Sequence, residues 1–210
     1  MMEIVNPEDR DNYTAQLEDM FHQRYKVFVE KFGWDLPDRD DENAVEKDAY
    51  DGDDTVYLMT TSEEGDVIAS IRLYPSEGPT MMRDLFPHLC ENGYPTGPSI
   101  WEFSRLYVWA PDLEQHQKTM IGVELLCGLM EYGLMYGIEK VIFQTTMTLI
   151  GTATHVGVDI EPLGLPQADG EHEPIVAGAM ALTPTGLQNL RRVLGITGSI
   201  FRQERTSKAA

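Results

Sequence analysis

The chain has 210 residues, 42% hydrophobic and 24% charged, enough for one globular domain with a sizeable core. Lys and Arg total 16 against 35 Asp and Glu, and the resulting charge of −19 repels nucleic acid and anionic membrane surfaces, which excludes both as principal partners. Cys90 and Cys127 lie far apart, and the opening stretch MMEIVNPEDRDNY has neither a basic leader nor an apolar run of signal-peptide length, so a cytoplasmic protein with reduced thiols is expected.

In chain order, MEIV reads as a first strand, and a helix is predicted from about Glu8 to Phe32, with Leu17, Phe21, Tyr25 and Phe28 near one another in projection. The acid-rich DLPDRDDENAVEKDAYDGDD has the composition of a solvated linker. TVYLMTTS, a turn at EEGD, and VIASIRLYPS form the clearest hairpin, after which Pro75, Gly78 and Pro79 break the strand. A long loop carrying MMRDLFPHL and NGYPTGPS leads to WEFSRLYV. That stretch patterns as a buried strand, yet it holds Glu102 and Arg105. An odd separation sends two strand side chains to opposite faces, so either the charges serve different faces or the strand bulges.

A second long helix is predicted from about Leu113 to Gly137. Gly122, Gly128, Gly133 and Gly137 allow it to pack closely, while Glu124 and Glu131 argue against a membrane span. KVIFQTTM and PIVAGAMAL read as buried strands, and TPTGLQNLRRVLG as a last helix capped by Thr183. RQERTSKAA reads as a frayed tail. Antiparallel strands interspersed with helices imply a mixed α/β or α+β sandwich with helices on a central sheet, and neither G-x-G-x-x-G after a strand nor G-x-x-x-x-G-K-[ST] occurs.

The five histidines are scattered and pair with neither cysteine at ligand spacing, so no metal site is expected. Polar residues inside apolar runs are more informative. Arg24, Arg72 and Arg105 need carboxylate partners if buried, and Asp48, Asp51 and Glu102 are the candidates. Any one such pair reads as an ion pair fixing loop to sheet.

Taken together, RYKVFVEKFGW, EKDAYD with Glu46, ASIRLYPS, MMRDLFP and WEFSRLYV stand in the order and spacing of one family. On these five motifs, which cover the first half, the chain resembles the acyl-homoserine-lactone synthases, the autoinducer synthases. The resemblance implies an N-acetyltransferase-like three-layer αβα sandwich with a central mixed, largely antiparallel sheet. It implies one domain over 1–210, with a cosubstrate-binding half to about residue 110, an acyl-binding half over about 111–200 and a tail at 201–210. The implied reaction acylates the amine of S-adenosylmethionine from an acyl thioester; the methionyl carboxylate then displaces methylthioadenosine and closes a lactone.

By the same resemblance Glu102 is the base, with Asp48 and Arg105 the other catalytic residues. S-adenosylmethionine is met by Arg24, Phe28, Trp34, Asp48, Asp51, Phe86, Phe103 and Arg105, with Arg24, Arg72 and Asp51 bracing the site through ion pairs. No cofactor is implied, S-adenosylmethionine being a cosubstrate, and the protein is expected to act as a monomer.

In the second half the chain departs from the family, since no Lys or Arg occurs between Lys140 and Arg191. That weakens a docking surface for an acidic acyl-carrier protein and makes acyl-coenzyme A a serious donor, with Lys118, Lys140, Arg191, Arg192 or Arg202 able to serve either. The acyl pocket is expected from Phe143, Thr145, Thr146, Met147 and Leu149, with IVAGAMAL opposite; Thr145 or Thr146 reads a 3-oxo group or is a core threonine. Two rivals stand beside this reading. One is an acetyl-coenzyme A dependent N-acetyltransferase, whose [QR]-x-x-G-x-[GA] motif QKTMIG fits at Gln117 and Gly122 but fails at Met120, the first glycine position; the other is a non-catalytic binding protein.

Overall fold

The hairpin strands set the architecture. In the computed structural model, which describes residues 1–170 and 172–201, they are Val56–Thr61 and Val67–Pro75. Every residue of Val56–Thr61 is buried, which requires cover on both faces of the sheet. Val56 and Leu58 pack into one core and Tyr57 and Met59 into another, as strand alternation dictates. The result is a three-layer sandwich.

Its strands are β1 (Met2–Val5), β4 (Val56–Thr61), β5 (Val67–Pro75), β6 (Ile100–Val108), β7 (Lys140–Thr146), β8 (Ile160–Pro162), β9 (Gln167–Asp169) and β10 (His172–Ala181), while β2 (Arg39–Asp40) and β3 (Val45–Glu46) form a separate small hairpin. The main sheet runs β1-β4-β5-β6-β7-β10-β8, with β9 also on β10. All its pairings are antiparallel except β6 with β7. That parallel pairing covers only Ile100↔Lys140, Trp101↔Val141 and Glu102↔Ile142. Beyond it β6 stays with β5 and β7 stays with β10, so the sheet splays open immediately after Glu102.

One face carries α3 (Gln115–Tyr136) and α5 (Pro184–Leu194), the latter capped by Thr183 as predicted. Gly128 and Gly133 of α3 are where close approach matters: an added Cβ would fall 2.1 Å from Met2 Sδ and 2.1 Å from Leu182 Cδ1 respectively. Gly122, in contrast, faces open space.

The other face carries the first helical segment. The expected single helix is three pieces: a 3₁₀ turn at Pro7–Tyr13, α1 (Thr14–Arg24) and a π-helical continuation at Tyr25–Lys31. Met20, Gln23, Arg24, Val27 and Phe28 keep one buried stripe through the change.

Two further expectations are corrected. The acidic stretch is not a solvated linker: β2 and β3 fold it back onto α1, and its Glu46 and Asp51 are buried because three arginines meet them. Met147 does not extend a strand but starts a helix, α4 (Met147–His155), which the short apolar run could not distinguish from strand. β8 and β9, three residues each, are too short to leave a periodic signal. Of the predicted tail, Phe201 bridges to Met2, and residues 202–210 lie outside the described part of the chain, Arg202 with them. Among the described residues no helix is long and apolar enough to cross a membrane.

Candidate active site

Strand β6 does bulge. Between the pairs Ser70↔Tyr107 and Arg72↔Ser104, Ile71 stands opposite both Leu106 and Arg105, and Arg105 takes a φ of 52°. The extra residue reverses the alternation: Leu106 joins the α3-side core and Tyr107 the α1-side core. Arg105 is thereby turned to the face that carries Glu102. Non-glycine backbone in this region is strained and persists only where the surroundings over-determine it. Here they do, through the carboxylates that hold the guanidinium.

Arg24, at the end of α1, donates to Glu46 Oε2 at 2.5 Å and pairs with both oxygens of Asp51 at 2.8 and 3.0 Å. Arg72, on β5, pairs with both Asp48 oxygens, reaches Asp51 Oδ2 at 2.9 Å and donates to Ser104 Oγ at 3.0 Å. Arg105 donates to Glu46 Oε1 at 2.8 Å and Asp48 Oδ2 at 3.0 Å. Three guanidiniums thus face three carboxylates with no net charge, and Arg24 and Arg72 are each 1% exposed. Burial opposes ionisation of Glu46, but Arg24 and Arg105 outweigh it and hold its pKa down at about 2. Burial likewise opposes charge on Asp51, and Arg24 and Arg72 hold it well below the usual range.

Asp51 also accepts from the Tyr57 hydroxyl at 2.8 Å and the Asp48 amide at 2.9 Å, so both its oxygens are saturated within the protein. It braces. Asp48 is the most accessible acid of the three, at 9% side-chain exposure against 0% and 1% for Asp51 and Glu46.

Glu102 belongs to a different environment. It is fully buried, and its contacts are neutral donors: Tyr74 Oη at 2.9 Å and the Met82 amide at 3.1 and 3.2 Å from its two oxygens. The Met82 amide is one of the N–H groups that the first turn of α2 (Met81–Asp84) leaves without a helical partner, Thr80 having capped Arg83. Burial pushes the Glu102 pKa up, the Met82 and Tyr74 bonds and Arg72 pull it partly back, and it stands at about 7. A carboxyl so placed takes up and releases a proton near neutrality.

The predicted aromatic residues divide. Phe28 and Trp34 come together: Gly33, at a φ of 70°, ends the π-helical segment, the Trp34 amide bonds back to Phe28 O at 2.9 Å, and the rings stack at 5.0 Å. Phe28 is buried, with the Arg105 guanidinium 5.3 Å from its ring, while Trp34 stays half-exposed. Phe86 sits elsewhere, with Met82, Leu89 and Ile142, and meets the site through Met82. Phe103 is not with the cosubstrate group at all: alternation sends its ring through the sheet to stack on Phe143 at 4.6 Å in the α3-side core.

The expected acyl pocket is likewise divided. Phe143 is buried, Thr145 and Thr146 are half-buried at the end of β7, and Met147 and Leu149 are 46% and 50% exposed on α4. The sequence reading missed Tyr74, Tyr57 and the Met82 amide. Tyr74 shows no mark beyond an ordinary strand tyrosine, and a backbone donor leaves none. Tyr50 was missed too; it stacks on Tyr74 at 6.0 Å and closes the acidic segment over Glu102's neighbour. Among the described residues no His, Cys, Asp or Glu group is arranged to hold a metal ion.

A family model described as autoinducer synthase matches residues 8–186. The chain is 34% identical over 167 residues to the isovaleryl-homoserine lactone synthase of Bradyrhizobium diazoefficiens, covering 79% of this chain and 73% of that protein. It is 27% identical to an acyl-homoserine-lactone synthase of Pseudomonas aeruginosa, covering 91% and 92%. Among solved structures, a CoA-dependent acyl-homoserine lactone synthase with SAM and isopentyl-CoA is 31% identical, with a TM-score of 0.86 over 97% of this chain and 93% of that one. An aminoglycoside 6'-acetyltransferase type Ii, at 16% identity and a TM-score of 0.54 over 88% of this chain and 98% of that one, shares the fold alone.

Removing one member of the buried network leaves a guanidinium without its counter-charge. Asp51→Asn is therefore expected to destabilise the protein by about 3–5 kcal/mol, measured by denaturant unfolding. A loss below about 1 kcal/mol would show that the six charges are not coupled as the geometry has them.

Proposed function

Because the chain belongs to the autoinducer synthase family, the acyl-homoserine-lactone synthases, we propose that Glu102 takes a proton from the amine of S-adenosylmethionine as that amine attacks an acyl-coenzyme A. The enzyme class and the N-acetyltransferase-like fold come with the family. The observation that carries the mechanism is the contrast between Glu102, held by neutral donors with a pKa of about 7, and Glu46, held by arginines at about 2. Two carboxyls whose environments push them apart mark the one that works as acid and base.

Glu102 accepts one ammonium proton; the freed lone pair forms the amide bond at the thioester carbon, the carbon–sulfur bond breaks, and the coenzyme A thiolate leaves with the second proton, which the nitrogen gives up as it becomes an amide. The methionyl carboxylate then attacks its own γ-carbon, the bond to the sulfonium breaks, and sulfur keeps the electron pair as neutral methylthioadenosine departs. Ring closure is intramolecular and gains from holding the chain folded rather than from a second strong catalyst. Asp48, the accessible acid, faces the ammonium and orients it, and Arg105 faces the cosubstrate carboxylate, its Nη1 meeting the soft Met81 sulfur at 3.9 Å. Trp34 offers its half-exposed ring to the sulfonium, a cation–π contact of about 0.5–2 kcal/mol. Phe28 holds Trp34 and Arg105 in place, and Phe86 backs Met82. Both halves of the chain serve this one site as a single domain.

Acyl-coenzyme A is preferred as donor on two grounds: the likeness to a CoA-dependent synthase, and the lack of any Lys or Arg from 141 to 190 with which to dock an acidic carrier protein. The likeness to a synthase solved with isopentyl-CoA favours a short acyl chain, placed near Thr145 and Thr146. An acetyltransferase fits less well. The acetyltransferase likeness is of fold alone at 16% identity, whereas the lactone synthases reach 31% and 34%.

Incubation with S-adenosylmethionine and a panel of acyl-coenzyme A and acyl-carrier donors is expected to release methylthioadenosine with short acyl-coenzyme A donors. With the productive donor, Glu102→Gln is expected to lower turnover about 100-fold or more at unchanged melting temperature. Release with carrier-bound donors alone would overturn the donor assignment, and full activity of the variant would remove the base. Tyr74→Phe deletes a hydrogen bond that favours the carboxylate, so the acid limb of the kcat/KM profile is expected to move to higher pH. An unmoved limb would mean that Tyr74 does not tune Glu102.

A further inference from the structure

Gln144 lies on β7 two residues beyond Ile142, the last β7 residue paired with β6, and so projects from the face that carries Glu102, at the mouth of the splay. Its Nε2 is 3.6 Å from Met81 Sδ, and the same sulfur lies 3.4 Å from Arg72 Nη2 and 3.9 Å from Arg105 Nη1. Met82, the next residue, gives its amide to Glu102. The carboxamide is therefore built into the wall between the arginine network and the proposed base. Its oxygen, however, is buried and without a hydrogen-bond partner.

The other such side-chain atoms among the described residues belong to Arg10, Thr60 and Arg191, which take no part in the site. An unpaired buried carbonyl is unfavourable to the fold, and one kept beside a reaction centre marks a place for a ligand's donor. The chemistry says which donor. Once Glu102 has taken one proton, the cosubstrate nitrogen keeps two N–H bonds and a lone pair that must point at the thioester carbon. Aiming that lone pair needs an acceptor for an N–H that does not itself compete for the proton. A neutral carboxamide meets both conditions; a carboxylate supplies the acceptor but also competes for the proton, so it serves only in part.

Resting on the reaction set out above, we infer that Gln144 is a substrate-binding residue whose side-chain oxygen accepts an N–H of the S-adenosylmethionine amine and orients it for attack. The experiment compares the wild type with Gln144→Met, which keeps the length but removes the acceptor, and Gln144→Glu, which keeps an acceptor oxygen. Methylthioadenosine release is followed against each substrate in turn, with thermal melting alongside. Gln144→Met is expected to lower kcat/KM for S-adenosylmethionine about tenfold or more, to leave the KM of the acyl donor within about twofold, and to change the melting temperature little, because the internal bond lost is the weak one from Nε2 to Met81 Sδ. Gln144→Glu is expected to recover part of the loss.

An unchanged kcat/KM for S-adenosylmethionine, a loss that falls on the acyl donor, or a loss matched by a lower melting temperature in both variants would each overturn the assignment. Wild-type turnover in the same assay separates the two levels. If the wild type releases no methylthioadenosine with any donor, the reaction itself is wrong; if it turns over and Gln144→Met is unaffected, only the role of Gln144 falls.

Discussion

Three buried guanidiniums matched to three carboxylates are the constraint on which the rest of this structure depends. Arg24 comes from the first helix, Arg72 from β5, Arg105 from a bulge in β6, and Glu46, Asp48 and Asp51 from one acidic segment. Each charge alone would be prohibitive at this depth; together they are neutral and hydrogen-bonded. The network therefore does two structural jobs. It folds a segment of solvent-like composition against α1, and it holds Arg105 in a backbone conformation that a non-glycine residue would otherwise leave.

Neutrality has a chemical consequence. With each arginine matched by an acid, burial dominates at Glu102, and the neutral donors Tyr74 and Met82, with Arg72 beyond them, offset it only in part. Two glutamates in one small region thus end up about five units apart in acidity, Glu46 at about 2 and Glu102 at about 7. One is a fixed charge; the other is the base of the reaction proposed above. The splay of β6 from β7, which starts at the pair Glu102↔Ile142, opens the sheet beside Glu102.

Much of this was legible in the letters. Arginines inside ASIRLY and WEFSRLYV demand acids wherever they are buried, and an acid and a base three apart on a strand demand either two faces or a bulge. The hairpin and the Thr183-capped helix follow from period and capping chemistry. What was not legible depends on tertiary context. Composition alone sends the acidic segment into solvent, because the arginines that hold it stand in other parts of the chain. Phe103 lies between Glu102 and Ser104 in sequence, yet alternation puts its ring on the far side of the sheet. Met147 and Leu149 continue an apolar run that reads equally well as strand or helix, and become exposed on α4. The donors to Glu102 are a tyrosine like any other and a backbone amide, neither of which a motif can show.

The central claim is that the arginine network leaves Glu102 as a proton-exchanging carboxyl, and infrared difference spectroscopy between the wild type and Glu102→Gln reads that protonation directly. A carboxylic acid carbonyl band present only in the wild type and titrating around pH 7 is the predicted result. A band that is gone by pH 4.5, the ordinary midpoint of a glutamate, would show that Glu102 is one more fixed negative charge and would contradict the account.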